Sequence, residues 1–228
     1  MPARTFEVAI EEGSKRAFAS ATDWPGWSRS GRGEEEALEA LFSYGARYAA
    51  ALDGSRVRFA APTQLGALRV GERVEGNATT DFGAPDGVFA ADERPIGAVE
   101  RRRLRTVLEA SWSAFDRAAD AAVGLELRKG PRGGGRSMDA IVGHVVQAEA
   151  GYLRRLTGSG TAVDEDDPWA SRQAERSAVL DGLDRAAAGD VPKTGPRGGK
   201  IWRPRRFLRR AAWHVLDHAW EIEDRSGA

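Results

Sequence analysis

Four stretches of helix length follow one another between residue 97 and the end of the sequence, and they restrict the C-terminal half to a packed set of helices. In the first, Val99, Leu104, Val107, Leu108, Trp112, Phe115 and Ala119 recur at helical spacing until Gly124. Ser137 is placed to cap the second, Met138 to Leu156. A third opens at Asp164 to Asp167 with Pro168 in its first turn and runs to about Ala188. The fourth begins at Arg203 and Pro204, runs through Asp224 and packs through Phe207, Leu208, Ala211, Val215, Leu216 and Ile222. Polar and glycine-rich loops join them, so residues 95–228 are expected to form an all-α four-helix bundle.

The beginning of the chain obeys a different period. Thr5 to Ile10 alternate as a strand does, and Ala17 to Trp24 read as a second strand leading into the turn Trp24-Pro25-Gly26-Trp27. Glu34, Glu35 and Glu36 set carboxylates at a helix N-terminus, followed by an apolar face of Leu38, Leu41, Phe42, Tyr44, Ala49 and Leu52. Residues 1–53 therefore read as a small α+β module. Residues 54–94 read as a connector, with strand candidates at Val57 to Phe59 and Leu68 to Val74. The expected fold class is an α+β N-terminal module followed by the helical bundle.

Composition narrows the function. Thirty-four basic residues balance thirty-four acidic ones, which argues against a dedicated nucleic-acid binder; the run RPRRFLRR (203–210) reads as a solvated helix face. No window approaches the roughly 18 apolar residues of a membrane span, and no apolar segment follows the N-terminus. The expected location is the cytoplasm, with no membrane partner; a homo-oligomer is compatible with the sequence. The glycine-rich segments KGPRGGGR (129–136) and KTGPRGGK (193–200) lack the spacing of phosphate loops and read as surface loops.

With no cysteine in the chain, any metal must be held by nitrogen and oxygen, and the three histidines offer the means. His214 and His218 stand four apart on the last helix, so both rings lie on one face about one turn apart. His144 lies on the second helix and can supply a third nitrogen. Three neutral imidazoles leave a divalent ion an open position; zinc is the default, with nickel and iron as alternatives. On the same helix Arg206 and Arg210 precede His214 in steps of four, and Glu221 follows His218 by three. Arg210 is a candidate to hold a substrate carboxylate, and Asp217 or Glu221 to orient an imidazole or carry a proton. Trp202, Trp213 and Trp220 are expected to wall the pocket.

The segments SMDAIVGHVVQAEAGYLRRL and WHVLDHAWEIEDR, in this order, resemble the second and last helices of the DinB-like (YfiT-type) superfamily of four-helix metalloproteins. The resemblance covers about residues 96–225, and on it His144, His214 and His218 match the family's three-histidine metal site. It implies metal-assisted chemistry with a low-molecular-weight thiol, such as mycothiol or bacillithiol, and an electrophilic substrate. The alternative is a non-enzymatic, metal-stabilised interaction module. Residues 4–52 resemble a HicB-like fold through the first strand, the DWPGW turn and the EEEALEAL helix, which in that alternative would bind a protein partner. No ribbon-helix-helix tail follows, so the resemblance does not carry an antitoxin function.

Overall fold

The computed structural model describes residues 5–129, 135–164, 166–196 and 198–227. It divides into two compact units, Met1–Ser111 with Leu208–Trp213, and Trp112–Phe207 with His214–Ala228.

The first unit is built on a four-stranded mixed sheet in the order β3-β2-β1-β4. Strands β1 (Phe6–Glu12), β2 (Ala17–Ala21) and β3 (Ser28–Gly31) pair antiparallel in sequence, and β4 (Leu68–Glu75) adds to β1 in parallel. A register shift between Val8 and Ala9 interrupts the parallel ladder. Between β2 and β3, Pro25 and Gly26 occupy the central positions of a tight turn closed by Trp27 N–H donating to the Trp24 carbonyl at 3.1 Å. Gly26 has φ of 92°, the left-handed region that this turn requires at its third position and that glycine adopts without strain. The turn delivers both flanking tryptophans to the interior. Trp24, Trp27, Tyr48, Phe6 and Phe59 form an aromatic cluster, with Trp27 Nε1–H donating to the Leu41 carbonyl at 2.9 Å and Tyr48 O–H to the Pro25 carbonyl at 2.8 Å.

The expected single helix after Gly33 is two: α1 (Glu34–Ser43) and α2 (Gly45–Ala51), broken at Tyr44. Glu34 at the start of α1 makes a bidentate pair with Arg73 of β4, both bonds 2.7 Å. Of the two strand candidates in 54–94, only Leu68 to Val74 pairs; Val57 to Phe59 is unpaired chain whose Phe59 is drawn into the aromatic cluster. Two short helices, α3 (Ala78–Phe82) and α4 (Ala90–Glu93), follow β4. Arg209 is buried in this unit, its guanidinium on Asp92 of α4 at 2.6 Å, on the Gly87 carbonyl at 2.8 Å and 4.1 Å over the Phe89 ring.

Four long helices follow: α5 (Ala98–Ala121), α6 (Met138–Thr157), α7 (Pro168–Ala188) and α8 (Pro204–Ser226). Their ends lie where their caps dictate. Ser137 Oγ accepts from Ala140 N–H, Asp167 Oδ1 from Ala170 N–H, and glycines at 158, 189 and 227 close the C-termini in the left-handed conformation. Among the described residues no helix is long and apolar enough to cross a membrane.

The interior of the second unit contains a polar network. Glu149 of α6 is buried and accepts from Trp112 Nε1–H, while Arg176 of α7 forks onto Asp116 of α5 at 2.7 and 2.9 Å. Desolvation dominates at Glu149 and pushes its carboxyl up to about 7, against the attraction of Arg176. A carboxyl whose folded pKa is raised binds its proton more tightly folded than unfolded. Its effect is absent below the unfolded value near 4.5 and grows as a loss of stability while pH rises from there to about 7. Glu149→Gln, which keeps an acceptor for Trp112, is expected to flatten that window and to stabilise the protein at pH 8 by about 2–3 kcal/mol. Urea unfolding of both proteins at pH 5 and pH 8 checks this; equal losses on raising the pH would refute it.

Candidate metal centre

Helix α6 presents His144 beside the buried run Ile141, Val142, Val145 and Val146, and α8 presents His214 and His218 one turn apart. The three imidazoles occupy the corners of a nearly equilateral triangle, with ring centroids 4.9 Å (144 to 214), 5.0 Å (144 to 218) and 4.7 Å (214 to 218) apart. One nitrogen of each lies within 4.8 Å of the others, and Nε2 of His144 stands 3.1 Å from Nε2 of His214. Two imidazole nitrogens bound tetrahedrally at the usual zinc distance lie about 3.3 Å apart, so this pair is already at ligand spacing. His218 needs a displacement on the order of 1 Å to join them. The donor set fits a borderline divalent ion. Burial, then the proximity of His218 and Arg136, holds the His144 ring down at about 4, so its nitrogens are uncharged at neutral pH.

The tautomer of His218 is decided by its neighbour. Its Nδ1–H donates to Glu221 Oε2 at 2.7 Å, which leaves Nε2 with a free lone pair for the centre. The hydrogen bond from His218, with help from Arg225, holds Glu221 below the usual carboxylate range. Arg225 uses all three nitrogens: NH1 to Glu221 Oε1, Nε to the Arg128 carbonyl and NH2 to the Arg136 carbonyl, each 2.8 Å. His218, Glu221, Arg225 and two carbonyls of the α5–α6 loop thus form one chain of charge-assisted bonds. Residues 130–134, within the KGPRGGGR segment, lie outside the described residues.

A cavity of about 770 Å³ opens beside His144, lined by Arg136, Asp139, Gln147, Asp166, Asp167 and Trp169 among others. Trp169 donates its indole N–H to Asp139 at 3.0 Å. The tryptophans expected as walls are placed otherwise. Trp202 stacks on Tyr152 with centroids 5.6 Å apart, and Tyr152 in turn meets His214 edge-on at 5.7 Å. Trp213 packs against Phe18 at 5.9 Å, and Trp220 is buried. Of the other candidates, Glu221 touches a ring of the triad, whereas Arg210 lays its guanidinium over Trp213 at 4.8 Å and Asp217 lies half-buried on α8. Arg206 reaches over the Trp202 ring at 4.7 Å. Within the KTGPRGGK segment, whose Arg197 lies outside the described residues, Thr194 pairs with Lys200, and Gly195, Pro196, Gly199 and Lys200 line, with Arg154 and Arg155, a separate basic hollow of about 460 Å³.

Arg225 and Tyr152 were not nominated from sequence, although both carry helical signals. Arg225 follows Glu221 by four, and Tyr152 follows His144 by eight, a little over two turns. Trp169 and the cavity depend on how α7 approaches α6 and leave no local trace.

The family model described as the DinB superfamily matches residues 107–222, a stretch that contains all three histidines and Glu221. No curated protein and no solved structure matches the chain.

Proposed function

The chain belongs to the DinB superfamily, and from that membership and the triangle of imidazoles we propose that His144, His214 and His218 hold one divalent ion, zinc by default, in a thiol S-transferase. The helical part is read as a DinB-like four-helix bundle and the N-terminal module as HicB-like. The observation that carries the enzymatic reading over an interaction module is the composition of the cluster. It offers three nitrogens, no carboxylate among the described residues joins them, and a cavity opens at His144. A purely structural zinc site is normally closed by a fourth protein ligand.

When bound, such an ion lowers the pKa of a coordinated thiol so that thiolate is available at neutral pH, which a chain without cysteine cannot itself supply. The protein's own part is positional. His144 contributes an uncharged nitrogen, and Glu221 fixes the tautomer and ring plane of His218. Both Glu221 oxygens are engaged, which favours an orienting role over proton transfer. The thiolate sulfur of a small thiol such as mycothiol or bacillithiol forms a bond to the electrophilic carbon, and the leaving group departs with its electron pair. The cavity beside His144 accommodates the electrophile. Low-molecular-weight thiols are kept reduced in the cytoplasm, where this reading locates the reaction.

Zinc-loaded protein, prepared without chelators or a metal-affinity tag, is expected to accelerate conjugation of mycothiol or bacillithiol to an activated haloarene. Glu221→Gln is expected to lose about 10–100-fold in metal affinity or activity. Stoichiometric metal without turnover across a broad thiol panel would favour the interaction module, and absence of bound metal would defeat both readings.

A further inference from the structure

The N-terminal unit contains a second concavity, unrelated to the histidines, of about 890 Å³. Five arginines line it, Arg56, Arg58, Arg94, Arg102 and Arg103, together with three carboxylates, Glu7, Asp23 and Glu100. Five cations against three anions leave two positive charges in excess within one cavity, on a chain that is neutral overall. Two of the arginines are engaged by neighbouring groups. Arg94 pairs with Asp23 at 2.8 Å, and Arg103 donates to the Asp23 carbonyl at 2.8 Å while its guanidinium lies 5.0 Å over the Trp24 ring. The guanidinium groups of Arg56, Arg58 and Arg102 make no hydrogen bond or ion pair among the described residues; the Arg102 carbonyl accepts from Thr106 Oγ1 at 3.0 Å.

Their convergence follows from the chain on either side. Phe59 is held in the aromatic cluster, in contact with Trp24 at 4.7 Å and Trp27 at 5.1 Å. In the unpaired segment before it, Arg56, Val57 and Arg58 all line the hollow. Arg102 comes from the first turns of α5, with Thr106 one turn further on lining the same wall. Segments distant in sequence thus bring permanently charged forks to one hollow, and a guanidinium matches phosphate oxygens bidentately.

We infer that this hollow is a binding site for a small phosphate-bearing anion, of the size of a nucleotide or a diphosphorylated metabolite, held by Arg56, Arg58 and Arg102 around Arg103. The volume lies in the range of small-molecule pockets. A nucleic-acid backbone is the poorer fit, because three carboxylates line the same hollow and a polyanion prefers an open, uniformly basic surface.

The test uses the full chain in a His214→Ala background, so that phosphate oxygens cannot be captured at the histidine cluster. Calorimetric titration with inorganic pyrophosphate and with magnesium-free ATP is expected to show saturable binding. Arg56→Ala/Arg58→Ala and, separately, Arg102→Ala are expected to weaken it roughly tenfold or more. Arg69→Ala, an exposed arginine of β4 outside the cavity, is expected to leave it unchanged. The substituted arginines are exposed, and an unaltered melting curve confirms that the variants fold. No heat of binding at millimolar ligand, or full affinity in the double variant, would overturn the site. Tighter binding of a single-stranded oligonucleotide than of ATP would overturn the small-molecule assignment.

Discussion

Replacing His214 with alanine is expected to reduce bound zinc from one ion per chain to below about a tenth of that, measured by elemental analysis of protein purified without chelators. His214 is the pivot of the triangle: its Nε2 is already 3.1 Å from that of His144, and it shares a helix face with His218. Without it, two nitrogens from different helices remain, and each ligand in a site of three carries a large share of the affinity. The substitution acts on the metal-free state mainly by enlarging a small space beside Tyr152, a cost of about 1–2 kcal/mol. Metal loss should therefore occur in a protein that still folds, which circular dichroism can establish on the same sample. Gln147→Ala, a change in the cavity wall beside His144, should keep full stoichiometry. Retention of a full equivalent of zinc by His214→Ala would sink the three-histidine centre.

Asp92→Ala is expected to destabilise the protein by about 3–5 kcal/mol, because it leaves the Arg209 guanidinium charged and without its carboxylate in a site where both side chains are about 5% exposed or less. The Gly87 carbonyl would remain as an acceptor, and the Phe89 face as a weak electrostatic partner, but neither neutralises the charge. Asp92 also accepts from the Phe89 N–H at 3.0 Å, so the substitution removes the cap of α4 as well. An Asp92→Leu/Arg209→Met pair should recover most of the loss, since the desolvation of both ions disappears together with their attraction. The comparison is a double-mutant cycle in urea. A single variant within 1 kcal/mol of the parent would mean that water reaches the guanidinium and that the pair is worth no more than a surface bridge.

How much of this was legible beforehand varies with the range of the interaction. The long helices and their ends were, because caps and periodicity are local: Ser137, Asp167 with Pro168, and Arg203 with Pro204 each mark a start. The histidine triangle was legible for the same reason, two of its corners being one turn apart on one helix. Strand β3 was not, since Ser28-Arg29-Ser30-Gly31 has no apolar alternation and owes its place to the turn before it. The parallel pairing of β4 with β1 joins residues about sixty positions apart and has no local signature. Tryptophan positions misled because an indole on a helix announces burial but not against what: Trp213 meets Phe18, and Trp169 lines the cavity instead. Glu149 does leave a trace in the sequence. It falls seven residues after Val142 and four before Leu153, on the buried stripe of α6, where a carboxylate is an anomaly to be explained.

Arg225 sets a limit on how this sequence can drift. Its guanidinium answers to three oxygens in three directions, Glu221 Oε1, the Arg128 carbonyl and the Arg136 carbonyl, one for each nitrogen. Lysine would keep the charge and satisfy one of them at a time; glutamine would reach two at most and lose the charge. No other side chain meets the three requirements together, so position 225 has in effect an alphabet of one letter, although it touches neither a histidine ring nor the cavity beside His144.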